Sequence, residues 1–275
     1  MTEHISSPVS LPDEFLSRLV AELDDETVRA IILHGSYARG DAVPPYSDVD
    51  LVRITRETPD RTQQKRFIWH DSYLLNLSSR PLSIYQEWLT IPQAAIFRVS
   101  TIRDAHILLE KDSAFRIFQQ ETLNDWKWEP LQATANAYAG QLLMEQTEII
   151  LKILKALKIH DSVALSDMLL DLFAAVTEAI AVQRGVLVLS GNTYFHQVQE
   201  AVGRDSIWTS YHLQTAGIVP QNSLVPSLEE RGWAALHLYQ ETVQLLQSHF
   251  LPQYWEAIAP LLDMIEHALS NKETL

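Results

Sequence analysis

Residues 32–54 read "ILHGSYARGDAVPPYSDVDLVRI", and this stretch constrains the fold more than any other part of the chain. The β-branched run "TVRAIILHG" predicts a strand that stops at Gly35. "DVDLVRIT" alternates polar and apolar residues and predicts a second strand. That alternation sets Asp48, Asp50 and Val52 on one face and Val49, Leu51 and Arg53 on the other. Between the strands, "SYARGD" starts a short helix with Ser36 at its N-terminal end, and "AVPPYS" is a loop. The chain must therefore build a sheet in which two carboxylates share one face.

Two carboxylates at i and i+2 on a strand lie about 7 Å apart and repel unless a divalent cation lies between them. Mg²⁺ suits that place, because it takes a few carboxylates and completes its shell with phosphate oxygens. The Gly35–Ser36 turn suits the other end of such a ligand. Glycine lets the backbone approach closely, and the start of a helix offers free N–H groups to an anion. Either feature alone is commonplace. Together, with "AIIL" before and "LV" after, they describe a unit that holds a triphosphate and its metal.

The rest of the chain divides in two. Residues 11–23 predict a helix with Pro12 near its first turn. "SYLLNLSS" predicts a third strand ending at Ser78, a helix follows from about Ser83, and "HILLEKD" predicts one more strand. From about residue 121 long segments at helical period follow one another. They give one long helix over roughly 130–158, and another opening at Asp161/Ser162 and stopping at Gly185. Two shorter helices come next, then one whose Ser227 and Glu230 have capping-box spacing, and a last one to the end. The expected architecture is α+β: a mixed sheet with flanking helices over 1–120, then an all-α helical bundle over 121–275.

The chain carries 21 Lys and Arg against 35 Asp and Glu, a net charge of −14. That balance argues against general nucleic-acid binding, which needs basic residues to neutralise phosphates. The acid surplus is uneven: 13 basic against 17 acidic residues over 1–120, and 8 against 18 over 121–275. An acidic second half attracts a cationic small molecule. No apolar run reaches the roughly 18 residues of a membrane span, so no membrane association is expected. The N-terminus lacks the features of a signal peptide, and cysteine is absent, which excludes disulfides and thiolate metal sites. A cytoplasmic protein is the default expectation.

"LHGSYARGDAVPPYSDVDLV" resembles the signature of the DNA polymerase β-like nucleotidyltransferase superfamily: a hydrophobic residue, Gly-Ser, a spacer, then Asp-x-Asp. "GSYARG" also has the form seen in its small-molecule branch. The resemblance implies two-metal transfer of a nucleoside monophosphate from an NTP, with pyrophosphate leaving. It implies that Asp48 and Asp50 hold two Mg²⁺ ions. Gly35, Ser36, Arg39 and Ser47 would contact the nucleotide, which is taken to be ATP.

Many superfamily members carry a third carboxylate on a later strand. Here that position falls on Asn76, which cannot act as a base, and Asp71 sits on the turn before it. The long helix offers a replacement in Glu145, Glu148 and Lys152, one stripe extended by Tyr138 and Gln141. As an isolated pattern, Glu148 to Lys152 is a favourable i,i+4 pair on a solvated face. The chain is also similar in layout to kanamycin-type aminoglycoside nucleotidyltransferases, which have a polymerase β-like domain, then a helical domain, and lack the third carboxylate. That similarity implies Glu148 as general base for the acceptor hydroxyl and Lys152 as a cation at the phosphates. It also implies an aminoglycoside-like acceptor, antibiotic resistance as the role, and a homodimer.

Two other readings share the same site chemistry. One is an antitoxin-like or regulatory enzyme that transfers AMP to a partner protein. The other is a catalytically weak NTP-binding protein, which Asn76 motivates. Arg231 and His237 match a ribonuclease spacing that chance alone produces, and it carries no weight. Trp126 and Trp128 are expected to pack rather than to stack on a ligand.

Overall fold

The computed structural model describes residues 10–219 and 223–271, and it resolves into two compact units. The first takes residues up to Lys127 together with Leu187–Gly191. The second takes Trp128–Val186 and the chain from Asn192 onward.

The first unit is built on a five-stranded mixed sheet. Its strands are β1 (Val28–His34), β2 (Val49–Thr55), β3 (Lys65–His70), β4 (Tyr73–Pro81) and β5 (His106–Glu110), in the order β3-β4-β2-β1-β5. β1 runs antiparallel to β2 and β5, β3 runs antiparallel to β4, and β2 and β4 are parallel. Helices flank it: α1 (Asp13–Leu23), α2 (Gly35–Arg39), α3 (Arg61–Gln64), α4 (Leu82–Trp88), α5 (Pro92–Arg103) and α6 (Ala114–Asn124).

Residue parity assigns the two faces of the sheet. Ile31 and Leu33 of β1, Val49 and Leu51 of β2, and Leu75 and Leu77 of β4 form one core with Phe15 and Leu19 of α1 and Tyr37 of α2. The opposite face carries Ala30, Ile32 and His34, then Asp50, Val52 and Ile54, then Asn76, Ser78 and Arg80. Its apolar members are buried, as are Ile96, Val99 and Ile102 of α5. Val188, from the segment that returns to this unit, donates its N–H to the Ile96 carbonyl at 2.7 Å.

Differences from the sequence reading have physical causes. β2 begins at Val49, so Asp48 stands just before the strand. The predicted third strand is the fourth, and it runs on to Pro81. It forms a hairpin with β3, closed by Asp71 and Ser72, whose φ angles of 46° and 70° suit a tight turn.

The second unit is entirely helical: α7 (Gln132–Glu145), α8 (Thr147–Ile159), α9 (Ser162–Gln183), α10 (Tyr194–Val202), α11 (Ile207–Ala216), α12 (Leu228–Leu246) and α13 (Pro252–Ser270), with short 3₁₀ turns. α9 is packed by α7, α8, α10, α11 and α12. Its Asp161 cap accepts a hydrogen bond from the Ala164 N–H at 3.0 Å, and Gly185 follows its end at φ 63°. The Ser227–Glu230 capping box is formed. The single helix expected over 130–158 is two, divided at Gln146. The buried His212 ring is paired at both nitrogens. His212 stacks between Phe173 and Trp208, with ring centroids 4.2 and 4.7 Å away. Its Nδ1 meets Gln199 at 3.0 Å and its Nε2 meets Thr177 at 2.9 Å. Burial lowers its pKa to about 4, so it is neutral at physiological pH.

Among the described residues no helix is long and apolar enough to cross a membrane.

Leu172 is fully buried on α9. Leu172→Ala is expected to cost roughly 2–5 kcal/mol through lost transfer energy and a residual cavity. Urea unfolding monitored by circular dichroism measures this.

Candidate functional site

The site begins at the end of β1. Gly35 takes φ 74°, in the left-handed region, and turns the chain into α2. A Cβ at this position would lie 2.2 Å from Asp50 Oδ2, so glycine is required on two counts. The Asp50 carboxylate occupies the space that a side chain at position 35 would need.

The parallel pairing of β2 and β4 sets Asn76 directly beside Asp50. Asn76 Nδ2 donates to Asp50 Oδ1 at 2.8 Å. The amide thus orients the carboxylate without neutralising it. Neither Asp48 nor Asp50 has an ion pair with a described residue. Burial, and then the neighbouring Asp48 charge, push Asp50 up to about pKa 6. A carboxyl displaced in this way gains most from a cation between the two acids. The donor set fits a hard divalent ion that takes its remaining ligands from phosphate and water. Among the described residues no group of three or more His, Asp or Glu could hold a metal on protein ligands alone.

The other expected residues fall as follows. Ser36 is the second residue of α2, and Asp41 N–H donates to its carbonyl at 3.0 Å. A five-residue helix carries little dipole, so this turn has only its backbone N–H groups to offer an anion. The Arg39 guanidinium reaches both oxygens of Asp41 at 3.3 Å, and its field acts on Asp50. Ser47 Oγ accepts from the Val43 N–H at 2.8 Å and closes the loop around the cis Pro44–Pro45 bond. Asp71 pairs with Arg18 at 2.5 Å on the far turn of the β3–β4 hairpin.

Glu148 and Lys152 belong to the helical unit. They pair at 2.7 Å, with 74% and 49% of their side chains exposed, and the lysine holds the Glu148 carboxyl below its usual range. The break at Gln146 interrupts the stripe that joined them to Glu145. Gln141 donates to Glu145 at 2.9 Å, and Tyr138 donates to Glu178 at 2.6 Å. Arg231 donates to the Thr215 carbonyl at 2.9 Å, and His237 stacks on Tyr211. Trp126 and Trp128 each have an indole hydrogen bond within their own unit, to the Leu89 carbonyl and to Gln132.

Sequence reasoning missed a cluster on the same sheet face as Asp50. A cavity of about 140 Å³ is lined by His34, Asn76, Ser78, Arg80 and Lys65 from the strands, and by Tyr85, Trp88 and Arg98 from α4 and α5. Burial, and then the Arg98 and Arg39 charges, lower His34 to about pKa 4, so its ring is neutral. The signal for Arg80 was available: it stands four residues after Asn76 on one strand and therefore on the same face.

Asp50 titrates higher folded than unfolded, so the native state binds more protons. Its contribution to stability falls as pH rises from about 4 to about 6. In chelator-treated protein, Asp50→Asn is expected to be more stable than wild type at pH 7 by on the order of 2 kcal/mol. The difference should vanish below about pH 4, and added Mg²⁺ should narrow it by stabilising the wild type alone. Thermal melts across pH, with and without the metal, measure each part.

Comparison with known proteins bears on the same segment. No curated protein matches the chain. A solved structure described as a nucleotidyltransferase-like protein from Exiguobacterium sibiricum 255-15 aligns over 89% of this chain and 77% of its own, at 12% identity and a TM-score of 0.49. The nucleotidyltransferase domain family matches residues 15–109, which span α1 to β5 and include Gly35, Asp48, Asp50 and Asn76. Such domains use an NTP and a divalent cation. Residues 15–109 thus match a nucleotidyltransferase domain over about a third of the chain, and that match supports a transferase enzyme.

Proposed function

We propose that this protein moves a nucleoside monophosphate, AMP in the first instance, from Mg·NTP to a hydroxyl of a small molecule. The observation that carries the reading is the Asp50 carboxylate. It is seated against Gly35, oriented by Asn76, and has no ion pair with a described residue. In the reaction the acceptor oxygen forms a bond to the α-phosphorus while the bond to the β-phosphate oxygen breaks, and pyrophosphate leaves. Magnesium bound at Asp48 and Asp50 would supply charge neutralisation at the phosphates. Asp48 and Asp50 bind, Asn76 orients, Gly35 leaves room for the Asp50 carboxylate, and Ser36 contacts the nucleotide.

Asn76 cannot take the proton of the hydroxyl, so the base is assigned to Glu148 of the helical unit, with Lys152 serving the phosphates. Residues 121–275 would bind the acceptor and form the homodimer. The acceptor class best supported by the sequence is an aminoglycoside-like cation drawn to this acidic half, which would make the role antibiotic resistance in the cytoplasm. One observation favours a second reading. The strand position beside Asp50 holds an amide in place of a carboxylate, which suits an NTP-binding protein with little turnover.

Pyrophosphate release from each of the four NTPs, with a panel of aminoglycosides and lincosamides, tests the proposal. Asp50→Ala is expected to lower release at least about 100-fold. Glu148→Gln is expected to lower it roughly 10²–10⁴-fold. Release no greater than that of Asp50→Ala across the panel would sink the transfer reading. A Glu148→Gln rate equal to wild type would remove that residue from the chemistry.

A further inference from the structure

The cavity beside Asn76 carries three basic side chains, Lys65, Arg80 and Arg98, and no carboxylate among its lining residues. In a chain of net charge −14 this is unexpected. None of the three has an ion pair with a described residue. The guanidinium groups of Arg80 and Arg98 instead approach the same indole, that of Trp88, at 5.2 and 4.5 Å from its ring. An aromatic ring within reach of both cations offsets part of their repulsion and leaves their N–H groups available. Arg98 is held below its usual range by burial, and the Arg80 charge acts on it in the same direction. Hydroxyl groups of Ser78 and Tyr85 and the His34 ring complete the lining. A like-charged, partly desolvated cluster around an open volume is stabilised by an anion, and guanidinium pairs match the oxygens of phosphate or carboxylate.

We infer that this cavity is an oxyanion subsite, which holds a phosphate or carboxylate group of a reactant on the same sheet face as the Asp48–Asp50 pair. Two sources have that chemistry: the terminal phosphate of the nucleotide, or an acidic group on the acceptor. Trp88 and Arg98 also line a neighbouring cavity of about 410 Å³, which gives the body of such a reactant room beside its charged end. The assignment of a reactant rests on the proposed transfer. The affinity of the cavity for an oxyanion does not.

The test is a titration of the full chain with inorganic phosphate, and separately with Mg·ATP, by calorimetry. Wild type, Arg80→Gln, Arg98→Gln and Lys65→Met are compared, with thermal melts to confirm folding. Each arginine variant is expected to bind phosphate roughly tenfold or more weakly, since a charge-assisted contact is lost. A parallel loss of Mg·ATP affinity assigns the cavity to the nucleotide. Unchanged Mg·ATP affinity with lost phosphate binding assigns it to an acidic acceptor. Failure of wild type to bind phosphate, or equal binding by the folded variants, overturns the inference. Lys65 is exposed, so Lys65→Met keeps the test decisive if an arginine variant does not fold. Phosphate binding that is lost in the variants, with no pyrophosphate release from wild type, would end the transfer reading and leave the subsite standing.

Discussion

The Asp50 carboxylate fills the volume in front of Gly35, and this packing ties the two halves of the site together. The glycine ends β1 and starts α2; the aspartate is the second residue of β2. Neither can move without the other, because antiparallel pairing of β1 with β2 sets His34 opposite Asp50. The parallel pairing of β2 with β4 then brings Asn76 to the free side of the carboxylate. A side chain that would be costly in a sheet is thus held between Gly35 and Asn76, with no ion pair to a described residue.

The same face shows how charge is distributed rather than cancelled. Acids stand at one end of the strands and bases along β4, β3 and α5, with Asn76 between them. Proteins pair most charges that they bury, since an unpaired buried charge is expensive. Two arginines elsewhere in this unit follow that rule: Arg53 meets Asp25, and Arg29 meets Asp112 at 2.8 Å. Around Asp50 and Arg98 it does not. A ligand with a cation at one end and an anion at the other would satisfy both groups at once.

Much of this was legible in the sequence because it depends on local rules. Parity placed Asp50 on one face and Leu51 on the other, and caps located Asp161, Gly185 and Ser227. Choosing the strand "SYLLNLSS" was enough to bring Asn76 to Asp50. What escaped depends on tertiary context. β3 reads poorly because Phe67 and Trp69 point outward while Arg66 is half-buried, an inverted alternation at a sheet edge. α5 was missed because Ala95, Ile96, Val99, Ser100 and Ile102 are buried around most of its surface, which erases amphipathic period. The break at Gln146 has neither glycine nor proline to announce it, so the segment read as continuous. Arg80 and Arg98 acquire meaning only when α4 and α5 are placed over the sheet.

Glu148 and Lys152 form a pair that is complete without a ligand. Their contact at 2.7 Å explains the spacing with no ligand, as a solvated i,i+4 pair of the favourable orientation. While the lysine is bound, the carboxyl is held low and is a poor base. Under the proposed transfer, a phosphate that competed for the lysine would release the carboxylate and raise its affinity for a proton. Such an exposed pair is weak, so little stability would be given up when it opens.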